Sequence, residues 1–305
     1  LWVGYNTSDD AAVLRWNDDI GLISTVDFFT PMVNVPRDFG KVAAANAMSD
    51  VYAMGGNPLM AVAILGWPVG RIPLQQAGEV TDGARFMCQM AGIPLAGGHS
   101  IESSEPFFGL AVSGSVNKTQ MLTNAGAKPG DVLILTKPIG NGIILAAEKR
   151  GLLLQASHLE TAMSYMCSLN KVGAELHSLQ GVHALTDITG FGLLGHLTEM
   201  CVASNVSAEV EFNKIPTYPF LADYISKSIY PDMTMKNYSH FAANTSPLGM
   251  RELLIMCDPQ TSGGLLISVA ESSSLALLKS LNESGHNGSI IGRCLQPSDK
   301  RIFIQ

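Results

Sequence analysis

The chain has 305 residues, 47% of them hydrophobic and 15% charged, enough for a large interior and comfortable for two domains. Its net charge of −7 argues against a nucleic-acid backbone as the main partner, and no run of about 18 uninterrupted apolar residues exists to span a membrane. The five cysteines are scattered, odd in number and without a C-x-x-C, which reads as neither a disulfide framework nor a zinc site and suits a reducing cytoplasm.

In chain order, the opening at Leu1 is strand-like and lacks an initiator Met, which predicts a cut or processed N-terminus. Residues 21–29 read as a buried strand broken by Pro31 and Pro36. Asp38 is the expected N-cap of an Ala-rich helix that Gly55 and Gly56 stop. A strand is expected at 60–65, a helix at 74–91 ended by Gly92, and a short strand at 93–96 running into the turn Gly97-Gly98-His99-Ser100. A further strand, at 107–116, alternates small and large residues. Residues 117–130 are polar and punctuated by Gly and Pro, which predicts a division into 1–118, a linker at 119–130, and 131–305.

The second part opens with a strand at 131–136, then helices at 142–150 and 158–179, a strand at 182–186 and a helix from Gly190. Residues 208–212 read as a strand with charged alternate positions, and 218–246 as a polar, irregular surface excursion. The segment from 253 runs into the turn DPQTSGG (258–264), followed by a strand at 265–269. Strands and helices mix irregularly in both halves, predicting an α+β or α/β chain with mixed sheets rather than a doubly wound one.

Four aspartates, Asp10, Asp27, Asp50 and Asp187, stand beside or inside apolar stretches. A buried carboxylate must be paired, hydrogen-bonded or bound to metal, and almost no Lys or Arg neighbours these four in sequence. Hard oxygen ligands without a Cys or His cluster point to magnesium or manganese. Asn46 lies four residues before Asp50 on the predicted helix, so the two share a face that meets either solvent or a site. Gly97 and Gly98 let backbone amides converge on an anion, or do no more than turn the chain. The string Gly190-Phe-Gly192-Leu-Leu-Gly195 matches G-x-G-x-x-G, with Glu209 and Glu211 about twenty residues on, which would suit a dinucleotide site. Asp187 just upstream would crowd a pyrophosphate unless metal intervened, so a phosphate-facing helix N-terminus or a close-packing device fits as well. No Walker-A sequence exists, and Cys257 reads as a buried thiol.

Together the segments SDDAAV (8–13), STVDFFTP (24–31), NAMSDVYAMGG (46–56), ILGWP (64–68), AGGHS (96–100), LTDITGFGLLGH (185–196) and DPQTSGG (258–264) resemble the selenophosphate synthetase family. The resemblance implies a fold similar to aminoimidazole ribonucleotide synthetase, with two α/β domains and N-terminal domains pairing into a homodimer. It implies conversion of ATP, selenide and water to selenophosphate, orthophosphate and AMP, supplying selenium for selenoproteins, with transient selenium-delivery or selenophosphate-using partners. On the same ground Asp10, Asp50 and Asp187 would ligate Mg2+, and Asp27 would share metal or nucleotide contact. Thr7, Ser8 and Asp9 would touch ATP, as would Gly97, Gly98, His99 and Ser100, the latter reaching a neighbouring subunit's site.

The family also carries, ahead of the first aspartate pair, a catalytic Cys or selenocysteine and a Lys. None of the five cysteines matches that position, so these 305 residues are expected to fold, dimerise and bind nucleotide without completing selenophosphate synthesis. Three other readings stay open. Another phosphoryl-transfer enzyme of the superfamily would use ATP without selenide. A non-catalytic paralogue would only sense nucleotide. An NAD-dependent oxidoreductase would bind nicotinamide without magnesium.

Overall fold

The computed structural model describes residues 1–4 and 9–305. Strand β1 (Ala12–Arg15) pairs antiparallel with β2 (Ile20–Phe29), whose period of two turns Ile23, Thr25 and Asp27 to one face and Val26 and Phe28 to the other. Helix α1 (Pro36–Ala53) follows, then β3 (Asn57–Trp67), α2 (Leu74–Ala91), β4 (Leu95–Glu102) and β5 (Phe107–Asn117). The five strands form one sheet in the order β1-β2-β5-β3-β4, parallel only at β3–β4. Helices α1 and α2 pack against each other, and α1 lies on β2 and β5. Their close approach requires glycine at two positions. A Cβ on Gly40 would come within 1.8 Å of the Val80 carbonyl oxygen, and one on Gly83 within 2.0 Å of that of Arg37.

The second sheet uses β6 (Val132–Leu135), β7 (Val182–Asp187), β8 (Ser207–Val210), β9 (Leu265–Val269), β10 (Ser289–Leu295) and β11 (Ile302–Ile304), in the order β11-β8-β10-β6-β9-β7. Between β6 and β7 lie α3 (Asn141–Lys149) and α4 (Ala156–Met166), and between β7 and β8 lies α5 (Gly192–Ser204). Helices α6 (Leu221–Ser226), α7 (Asp232–Phe241) and α8 (Met250–Met256) separate β8 from β9, and α9 (Glu271–Glu283) separates β9 from β10. Alternation again sorts the side chains. Ile134, Leu185 and Ile267 pack with Leu277 and Leu281 of α9, while Leu133, Leu135 and Leu266 join the cluster holding Leu193 and Leu197 of α5. This sheet is covered on both faces, and β9 is buried throughout.

Several expectations are corrected. Helix α1 starts at Pro36, pre-set for a first turn, and Asp38 lies inside that turn bound to Lys41 instead of capping it. Residues 158–179 are not one helix: α4 ends at Met166, and Lys171–Ser178 forms a separate 3-10 stretch after Asn170 turns inward to bond Ser49 and Gly263. Residues 218–246 are no loose excursion, because they contain α6 and α7 and bury Tyr218, Tyr224 and Asn237. Their helices are too short for a clear apolar period. Residues 97–100 continue β4 as a strand rather than turning. Helix α9 and strands β10 and β11 were not anticipated.

The dinucleotide reading also fails on topology. Strands β7 and β8, which flank the Gly190–Gly195 string, stand four places apart in the sheet, and β7 is antiparallel to its neighbour β9. A dinucleotide-binding unit needs parallel neighbours joined across its helix.

Candidate active site

Nearly all of α1 is buried, so the polar stripe Asn46, Ser49 and Asp50 meets protein and not solvent. One side of the stripe faces β2: Thr25 donates to Asp50 Oδ2, and Asn46 Nδ2 donates to Asp27 Oδ2 at 2.7 Å. The other side faces the second sheet. Asn46 Oδ1 accepts the Ser262 amide at 2.7 Å, and Ser49 accepts from Asn170 at 2.8 Å while bonding the Asp187 carboxyl. Asp187 ends β7, and its neighbour Thr186 donates to Asp10 Oδ1 at 2.9 Å. The four aspartates singled out by sequence therefore gather where α1 meets the ends of β2 and β7. Asp9 is turned aside, its Oδ1 accepting the Asn124 amide at 3.0 Å.

Each of the four carboxyls is pushed above the usual carboxylate range, first by burial. Asp10 and Asp50 are raised furthest, and after burial the charge of Asp187 is the next cause for both. Asp27 is partly relieved by its bond from Asn46. Two oxygens in the group, Asp10 Oδ2 and Asp187 Oδ2, are buried without a hydrogen-bond partner. Lys137, at the end of β6, is the nearby cation: its buried ammonium donates to the carbonyls of Ser168 (2.7 Å) and Ser262 (3.0 Å). Burial lowers it to about 7, against the attraction of Asp187.

A cavity of about 370 Å³ opens beside this group, lined by Asp27, Thr30, Asn46, Thr189, Gln260 and Thr261 among others. Gln260 and Thr261 belong to the loop 258–264, where Ser262 takes a left-handed backbone (φ 50°) with its hydroxyl buried and unpartnered. A larger cavity of about 600 Å³ lies between α2 and α4, lined by Met87, Met163 and Cys167, and includes none of the four aspartates.

Unpartnered carboxylate oxygens in a negative setting fit a hard divalent cation. Among the described residues no three His, Cys, Asp or Glu side chains form a ready-made coordination group. Magnesium does not need one, since it commonly binds through one or two carboxylates plus water and substrate phosphates.

Gly97, Gly98, His99 and Ser100 are elsewhere. Cross-strand pairing runs from Phe28 to Gly109 to Ile64 to His99, so His99 sits on the face opposite α1, three strands or about 14 Å from β2. The structure does not bring these residues to the aspartates within one chain. Thr7 and Ser8 lie outside the described residues. Sequence reasoning missed Lys137, Ser49, Thr25, Asn170 and the pair His196 and Glu199. A lysine closing an apolar strand was the one local signal among them.

The sequence matches the models of the AIR synthase related protein N-terminal domain over residues 8–116 and C-terminal domain over 128–305. A selenide, water dikinase of Colwellia psychrerythraea is 49% identical over 304 residues, covering 100% of this chain and 88% of its own. The chain belongs to the selenide, water dikinase family. More distant proteins share the fold. Thiamine-monophosphate kinase from Stenotrophomonas maltophilia superposes with a TM-score of 0.76 at 20% identity, over 99% of this chain and 90% of that one. The hydrogenase maturation protein HypE, solved in complex with ATP, gives 0.73 at 18% identity, over 97% and 83%.

Proposed function

We propose that this dikinase-family chain uses ATP to convert selenide and water to selenophosphate, orthophosphate and AMP. The observation that carries the reading is the pair of unpartnered oxygens, Asp10 Oδ2 and Asp187 Oδ2, in a group of four buried or half-buried aspartates. Asp10, Asp27, Asp50 and Asp187 would hold Mg2+, which would supply positive charge to offset that of the substrate phosphates. The protein's own part is positioning. Asn46 ties Asp27 to the Ser262 amide, so the two sheets hold the site walls in fixed register. Asp9, with Thr7 and Ser8, would contact the nucleotide.

Domain limits of 1–118 and 131–305 around a linker at 119–130 belong to the same reading, as does a cytoplasmic location. No helix among the described residues is long and apolar enough to cross a membrane. The open face of the first sheet, where Val26 and Phe28 are 50% and 54% exposed, would pair with a second copy. Gly97, Gly98, His99 and Ser100 on that side would then reach the partner's nucleotide. Selenium-delivery or selenophosphate-using proteins would be transient partners.

Calorimetric titration of a non-hydrolysable ATP analogue, with magnesium and with chelator, tests the reading alongside Asp50→Asn. Magnesium-dependent binding that Asp50→Asn abolishes supports it. Tight binding indifferent to both magnesium and the substitution contradicts it.

A further inference from the structure

Next to the carboxylates, three side chains line up as hydroxyl, imidazole and carboxylate. Thr189 stands in the turn between β7 and α5, and both its amide nitrogen and its Oγ1 lie 3.1 Å from Nε2 of His196. An amide can only donate, so Nε2 must offer its lone pair and the ring proton sits on Nδ1. Nδ1 faces Glu199 Oε2 at 3.4 Å, three residues further along α5. The ring is kept neutral, since burial lowers His196 to about 4, and it leans on Phe191.

Thr189 is itself fixed, its carbonyl accepting the amides of Gln260 (2.9 Å) and Gly192 (3.0 Å). It lines the same cavity as Asp27, Asn46 and Thr261. Because Nε2 is an acceptor, the Thr189 hydroxyl points its proton at His196. Only the lone pairs of Oγ1 remain for the cavity. A group so arranged rejects phosphate oxygens and accepts from a hydrogen-bond donor.

Transfer of one phosphoryl group from ATP to selenide would leave ADP, and the geometry points to Thr189 as the residue that positions the water which hydrolyses that ADP to AMP and orthophosphate, with His196 and Glu199 as positioning residues that lock its hydroxyl. This rests on the dikinase reading above. The water oxygen bonds the β-phosphorus, and the bond from that phosphorus to the bridging oxygen breaks with its electron pair left on AMP. The released proton passes to the orthophosphate formed. Thr189 touches the water, while His196 and Glu199 act through Thr189.

The test follows ATP, ADP and AMP during selenide-dependent turnover by the full-length protein, for wild type, Thr189→Val, Thr189→Ser and Glu199→Gln. Thr189→Val is expected to accumulate ADP and to slow AMP formation by on the order of 100-fold, while affinity for the ATP analogue stays within about threefold. Thr189→Ser should restore most of the AMP, and Glu199→Gln should fall between, by about tenfold. Thermal melts of all four check the fold, and Glu199→Gln carries the test should Thr189→Val not fold. Thr189→Val forming AMP at the wild-type ratio overturns the assignment, as does a parallel loss of AMP and nucleotide affinity. A wild type that forms no AMP with selenide overturns the dikinase reading, and this assignment with it.

Discussion

Two buried carboxylate sites in this chain invite comparison, Asp131 at the entrance to the second sheet and the Asp10–Asp187 group at its far end. Asp131 is satisfied on all sides: Oδ2 accepts the Lys128 amide and the Ser268 hydroxyl at 2.8 Å each, and His183 lies 2.9 Å from both oxygens. In the other group Asp10 and Asp187 each keep an unpartnered oxygen, and Asp187 repels Asp10. Burial is common to both, so burial alone does not mark function. What separates them is unmet acceptor capacity, which a fold tolerates only where something else supplies the missing positive charge.

The largest expected effect sharpens that contrast. Asp187→Asn should weaken magnesium-dependent nucleotide binding by on the order of 100-fold, about 2.7 kcal/mol, measured by calorimetry. Asp131→Ala should do the reverse. It leaves three donors without their acceptor and should cost about 3 kcal/mol in denaturant unfolding, with nucleotide affinity changed less than about twofold. Equal effects of the two substitutions on binding would break the comparison.

A smaller effect concerns the metal-free fold. Asp10→Asn removes a buried repelling charge while keeping an oxygen for the Thr186 hydroxyl, so it should stabilise the metal-free protein by about 1 kcal/mol at pH 8.

Asp258 is an intermediate case and gives the finest test. Its Oδ2 accepts the Gly142 amide and the Gln260 side chain, its Oδ1 has no partner, and burial raises it to about 8. The native state therefore holds a proton that the unfolded chain releases near pH 4. This contribution to stability is full below about pH 4 and is lost as pH rises through about 8. Asp258→Asn should flatten the fall of the thermal midpoint between pH 5 and 8 by a few degrees. An unchanged slope would show that Asp258 is ionised in the native protein.

The contrast also explains what was legible in the sequence. Helix α2 over Leu74–Ala91 was readable from its own pattern and from Gly92, which takes the left-handed end. The four aspartates were readable because a carboxylate inside an apolar run is costly whatever surrounds it. Lys137 and Asn170 were not, because their partners lie far away in sequence: Lys137 bonds Ser262, and Asn170 bonds Ser49. The string 97–100 misled for a local reason, since two glycines suggest a turn, whereas here Gly98 lets β4 lie against Ala63 on β3. The satisfied state of Asp131 was equally invisible, resting on Ser268 from a strand formed 137 residues later.

The central claim is that the unmet carboxylates form a cation site. The most direct measurement is the thermal midpoint of the wild type and of Asp187→Asn at pH 8, titrated with magnesium and no nucleotide. Binding to the native state alone should raise the wild-type midpoint with magnesium concentration, following RT ln(1 + [Mg2+]/Kd), and leave Asp187→Asn flat. Parallel curves for the two proteins, whether both rising or both flat, would contradict it.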